Sequence, residues 1–301
     1  MMKKSMIQKQ PCPENLNDAS SSSPGISLDD RDINCTIAIS KQQYILVKNS
    51  ASHCLTTRLY LDYARMAMAE MVGTFILMFC VCGIISSTQL QNGQVGLLEY
   101  AATAGLTVVV VIFSIGPISC AHVNPAATIA FATFGQFPWL KVPVYILAQM
   151  VGSVLATYIG SLVYGIKSDV MMTRPIQGAM SAFWVELIAT FIIMFLAAAL
   201  TSELKTVAHL SGFVLGIAIG LAVLITGTVS GGSMNPARSL GPAIVSWEFK
   251  DIWIYMTAPI IGAVAGVLLF RFLRLKHQPG AAFITPTTAD QDAHSITLFP
   301  S

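Results

Sequence analysis

Charge is what this chain lacks. Only 11% of its 301 residues are Asp, Glu, Lys or Arg, where a soluble domain carries about a quarter. That scarcity excludes an ordinary water-soluble globule and a nucleic-acid-binding surface. No apolar h-region stands near the start, so a cleaved signal peptide is not expected. The six cysteines, Cys12, Cys35, Cys54, Cys80, Cys82 and Cys120, have neither metal-ligand nor disulfide-framework spacing. Cys80 and Cys82 read as small apolar packing residues. No phosphate loop is present, and Ser233 in GGSMN lacks the G-x-S-x-G elbow of a hydrolase. Enzymatic chemistry, a metal centre and a cofactor are therefore not expected.

What is present is apolar length. Hydrophobic residues make up 54% of the chain, with mean hydropathy +0.67. About 20 apolar helical residues cross a bilayer. Six stretches qualify: 66–87, 100–115 with its flanks, 142–166, 183–200, 210–229 and 252–270. The third, fifth and sixth hold no charge; the first and fourth hold one each, Glu70 and Glu186. The polar stretch 1–63, with NDASSSSPG at 17–25, reads as a disordered tail, and 276–301 as a second tail.

Positive charge orients the spans. Residues 1–65 hold eight of the seventeen Lys and Arg. An even number of spans puts Lys141, Lys205, Arg271, Arg274 and Lys276 on that same side. Lys167, Arg174 and Lys250 fall on the other. Both termini are thus expected in the cytoplasm.

The two halves repeat. AEMVGTFILMF at 69–79 matches VELIATFIIMF at 185–195, pairing Glu70 with Glu186. Gly-Leu follows in each half, then Asn-Pro-Ala: Asn124, Pro125, Ala126 and Asn235, Pro236, Ala237. Three spans per half make the second copy inverted, 64–168 against 180–275. Inverted repeats build a midplane site from broken helices. The segments 124–134 and 235–246 are too short to cross. Asn as cap and Pro at the first helical position read each as a half-helix starting at its motif. Two such N-termini facing each other make a positive peak that repels cations and offers donors to neutral solutes.

This pattern resembles the aquaporin (major intrinsic protein) family over about residues 64–275. Within it the chain looks most like the plant nodulin-like intrinsic proteins. The resemblance implies an all-α membrane fold of six transmembrane helices plus two re-entrant half-helices. It implies a passive channel in the plasma membrane, assembled as a homotetramer with a pore in each protomer. The family's filter, carried over by spacing from the motifs, falls on Ala104, Val223, Gly232 and Arg238. Strict water channels have a large aromatic and a histidine at the first two positions. Small side chains here imply a wider opening, and Arg238 still repels cations. Glycerol, urea, boric acid and arsenous acid fit such a hole, with low water flux. Family members with a similar filter are associated with boric acid and other metalloid acids. Bacterial glycerol facilitators follow the second motif's arginine with aspartate; this chain has Ser239.

Tyr100 is one turn from Ala104 on the same face. It reads either as a partial plug whose hydroxyl reaches Arg238, or as an interfacial aromatic anchor or packing between helices. Glu70 and Glu186 are expected to accept hydrogen bonds from the two half-helix loops, and His122 to make a structural bond at the cytoplasmic mouth. A coupled transporter would also use inverted repeats and broken helices, but no second ionisable group joins either glutamate in a relay.

Overall fold

The computed structural model describes residues 30–93, 95–202 and 210–274, with side chains from Tyr60 onward. The chain divides into two units, Met1–Leu59 and Tyr60–Ser301. All that follows concerns the second, apart from the start of one helix. That helix, α1, runs Asp30–Leu90, so helical backbone begins inside the stretch read above as a disordered tail. The reason is local: no glycine or proline stands between Gly25 and Gly73 to interrupt it. The stretch 17–25 and the tail 276–301 lie outside the described residues, as do Lys205 and Lys276.

The remaining helices are α2 (Leu97–Ser119), α3 (Pro125–Thr133), α4 (Val142–Tyr164), α5 (Ala179–Ser202), α6 (Ser211–Ser230), α7 (Pro236–Ser246) and α8 (Ile252–Leu273). Among the described residues there is no strand, and six helices are long and apolar enough to cross a membrane. The two exceptions are α3, with nine residues, and α7, with eleven. At about 1.5 Å per residue, each reaches roughly half-way through the hydrocarbon. The fold is inside-out by the standards of a soluble protein. Leu106, Leu147, Leu162 and Ile217 are all more than 60% exposed, while Glu70, Gln149 and Glu186 are fully buried.

Backbone contact between helices depends on glycine at repeat-related places. A Cβ at Gly105 of α2 would strike the Gly216 carbonyl of α6, and one at Gly216 would crowd the Gly105 carbonyl in return. The two residues are 111 positions apart, as are Asn124 and Asn235. This mutual contact lies where the two halves meet. Further out, Gly152 of α4 abuts the Met71 carbonyl of α1, and Gly262 of α8 abuts the Leu187 carbonyl of α5. Each half-helix is gripped by both halves: α3 packs on α4 and α8, and so does α7.

Candidate functional site

Each half-helix starts from a strained loop. Cys120, Ala121 and Val123 have positive φ, and so do Gly231, Gly232 and Met234. A β-branched Val123 at φ 40° is costly unless its surroundings hold it. Glu70 supplies that hold. Its Oε1 accepts from Ser119 Oγ at 2.7 Å and from the His122 amide at 3.0 Å. Its Oε2 accepts from the Val123 amide at 2.7 Å and from Gln149 Nε2 at 2.8 Å. Glu186 does the same in the other half. It accepts from Ser230 Oγ at 2.6 Å and from the amides of Ser233 and Met234 at 2.9 and 2.6 Å. Tyr145 and Tyr255 complete the symmetry by donating to the carbonyls of Ser119 and Ser230 at 3.0 and 2.8 Å.

The asparagines perform two tasks with one side chain. Asn124 Oδ1 accepts from the Ala126 amide, and Asn235 Oδ1 from the Ala237 amide, each at 2.9 Å. These are N-caps, with Pro125 and Pro236 at the first helical position. The amide nitrogens cross over. Asn124 Nδ2 donates to the Met234 carbonyl at 2.9 Å, and Asn235 Nδ2 to the Val123 carbonyl at 2.8 Å. So each motif is tied to the loop of the other, N-terminus near N-terminus. One hydrogen of each amide is spent on this link.

A cavity of about 660 Å³ runs alongside. Ala104, Val223, Gly232 and Arg238 line it, as do Tyr100, Asn124 and Asn235. His122, Phe131, Gln136, Thr201 and Ser211 line it too. Arg238, 4% exposed, donates Nη1 to the Met171 carbonyl at 2.7 Å and Nη2 to Tyr100 Oη at 3.3 Å. Its Nε is buried without a hydrogen-bond partner. The Tyr100 hydroxyl faces the Gly231 and Gly232 carbonyls at 3.3 and 3.2 Å. A Cβ on Gly232 would lie 3.4 Å from that ring, an ordinary contact, so it is the φ of 70° that favours glycine there. His122 Nδ1 is 3.2 Å from Thr128 Oγ1, and its ring packs against Phe131, Phe137 and Tyr145. Burial lowers its pKa from 6.5 to about 4.

Repeated halves, crossed asparagines and a cavity lined from both halves fit a pore, and the sequence profile of the family "Major intrinsic protein" matches residues 59–270. The chain belongs to this family. It is 59% identical over 237 residues to "Probable aquaporin NIP7-1" of Arabidopsis thaliana, covering 78% of this chain and 86% of that one. It is 40% identical over 227 residues to "Aquaporin NIP1-1" of Zea mays, covering 75% and 80%. Its fold is similar to the X-ray structure of the aquaglyceroporin from Plasmodium falciparum, with TM-score 0.58 and 25% identity, covering 70% of this chain and 95% of that one. The protein is thus a multi-pass membrane channel for small solutes, not an enzyme.

Reading the sequence missed several partners, three of which show why. Gln149, Met171 and Thr173 all bond motif-region residues. Only Gln149 left a signal, as a polar residue inside a charge-free span. Met171 acts through its backbone carbonyl, which no residue type encodes.

Proposed function

We propose that this channel conducts small, neutral, hydroxyl-rich solutes, with boric and arsenous acids, glycerol and urea as the fitting class and water flux low. The selective narrowing is formed by Ala104, Val223, Gly232 and Arg238, and the Asn-Pro-Ala motifs exclude cations at the midpoint. The observation that carries this reading is the wall composition beside Arg238. Two small apolar side chains and a glycine line the cavity there, and the Arg238 guanidinium is the one charged group beside them. A fixed guanidinium among small apolar walls repels cations and favours a neutral solute bearing oxygen acceptors.

Tyr100 acts as a gate in this reading. Its hydroxyl bonds Arg238, and both residues line the cavity, so an entering solute must compete for the same guanidinium. The channel domain spans 64–275, with both termini in the cytoplasm, in the plasma membrane and as a homotetramer. The arginine and lysine bias supports the orientation; the tetramer and the membrane rest on family likeness.

Stopped-flow swelling of vesicles containing the protein tests the solute class. Boric acid and glycerol should both pass readily, and water slowly. Ala104→Phe combined with Val223→His should cut glycerol flux roughly tenfold or more by refilling the wall. Undiminished glycerol flux in that double variant would remove these positions from the filter.

A further inference from the structure

A guanidinium in a wide pore keeps one orientation only if its acceptors are held. Arg238 Nη1 depends on the Met171 carbonyl, and Met171 ends a short 3-10 turn, Ser168–Met171, in the loop between α4 and α5. Loops move more than the helices they join, so that acceptor needs its own anchor. Two residues on, Thr173 Oγ1 donates to Ser239 Oγ at 2.7 Å. Ser239 follows Arg238 in the first turns of α7. Its Oγ lies 2.6 Å from Ser233 Oγ, which in turn donates to the Asn235 carbonyl at 3.0 Å. One direction satisfies every hydroxyl: Thr173 to Ser239, Ser239 to Ser233, Ser233 to the carbonyl. All three side chains are at most 5% exposed, so water does not compete for them.

We propose that Thr173 is a positioning residue for Arg238. Through Ser239 and Ser233 it pins the 168–173 loop to the second half-helix, which keeps the Met171 carbonyl on the guanidinium and so sets discrimination among solutes. This rests on the reading of Arg238 as the filter's charged member.

The other half of the repeat isolates the device. Thr128 and His122 stand where Ser239 and Ser233 stand, and Ala127 stands where Arg238 does, at the spacing that separates the two asparagines. Thr128 Oγ1 is likewise close to its partner, 3.2 Å from His122 Nδ1. Its further donor is Gln149 Nε2 at 3.1 Å, from the membrane span α4. The same knot is tied to a rigid helix where there is no arginine, and to the extracellular-side loop where there is one.

The test uses the full chain in vesicles and reads the ratio of glycerol to urea permeability, which does not depend on how much protein inserts. Thr173→Val replaces the hydroxyl with a methyl of similar size. It should shift the ratio by roughly three- to tenfold, the effect of one lost buried hydrogen bond. Ser239→Ala, at the middle of the chain, should shift it the same way, and Thr173→Ser should restore it. A ratio unchanged in Thr173→Val and Ser239→Ala, while Arg238→Ala alters it, overturns the positioning role. So does a Thr173→Ser variant that behaves like valine. If Arg238→Ala itself leaves the ratio unchanged, the filter reading fails first and this role falls with it.

Discussion

A single carboxylate holds each half-helix loop, and the cost of altering it can be reasoned from its donors. Glu186 takes three, two of them backbone amides of residues at or beside positive φ. Glu186→Gln keeps the shape but turns one acceptor into a donor, so an N–H must face an N–H. Leaving a buried donor unmatched costs about 2–3 kcal/mol, and Glu186→Gln should lower the melting temperature in detergent by roughly 5–10 °C for a chain of this size. His122 differs in kind. Its folded pKa of about 4 lies below the ordinary 6.5, so the native protein binds fewer protons than the unfolded chain. The associated stability is complete above about pH 6.5 and is lost as pH falls toward 4. Melting temperature followed from pH 7 to 4 should fall more steeply in the wild type than in His122→Asn, while solute flux stays flat between pH 6 and 8. Tyr100 is the third residue with a distinct signature. Tyr100→Ala should raise boric acid flux, and Tyr100→Phe, which keeps the ring but loses the bond to Arg238, should fall between. Equal flux in all three at matched surface expression would leave the tyrosine a packing residue.

At the scale of elements, the half-helices show which part of a sequence speaks for itself. Asn before Pro is a local signal, and both motifs do cap a short helix. The pairing of Glu70 with Glu186 came from the repeat, and each carboxylate meets its own half's loop. What no local pattern conveys is the crossed pair of amide bonds, because each asparagine reaches a carbonyl more than 100 residues away. The same holds for the Met171 carbonyl and for Thr173, which sits in a loop with no periodicity to read. The helix starts at Asp30 despite a polar composition, because no glycine or proline interrupts it there. On the proposed reading, the crossed bonds bear on cation exclusion. Asn124→Asp keeps the cap acceptor but loses the donor to Met234, and it adds a negative charge beside two positive helix ends. Cation conductance across a planar bilayer should rise measurably in Asn124→Asp and remain at background in the wild type. No rise would mean that Arg238 alone excludes cations.

The whole molecule turns on the place where its halves touch. Gly105 and Gly216 face each other's carbonyls across α2 and α6, and those two helices also carry Ala104 and Val223. The separation of these helices therefore sets how far apart two walls of the cavity stand. Because the obstacle is backbone, no rotamer change can absorb an added methyl; the helices themselves must part. Overpacking of this kind costs about 1–3 kcal/mol, which a six-span bundle can survive. Gly105→Ala should therefore still assemble, with a lower melting temperature and a wider opening. The expected signature is a rise in the flux of solutes larger than glycerol, such as a four-carbon polyol, relative to urea. Gly152→Ala is the control. It forces apart α1 and α4, which carry none of Ala104, Val223, Gly232 or Arg238, so it should lower stability without changing the size cutoff. If both variants shift the cutoff alike, the opening follows general loosening of the bundle and not this crossing.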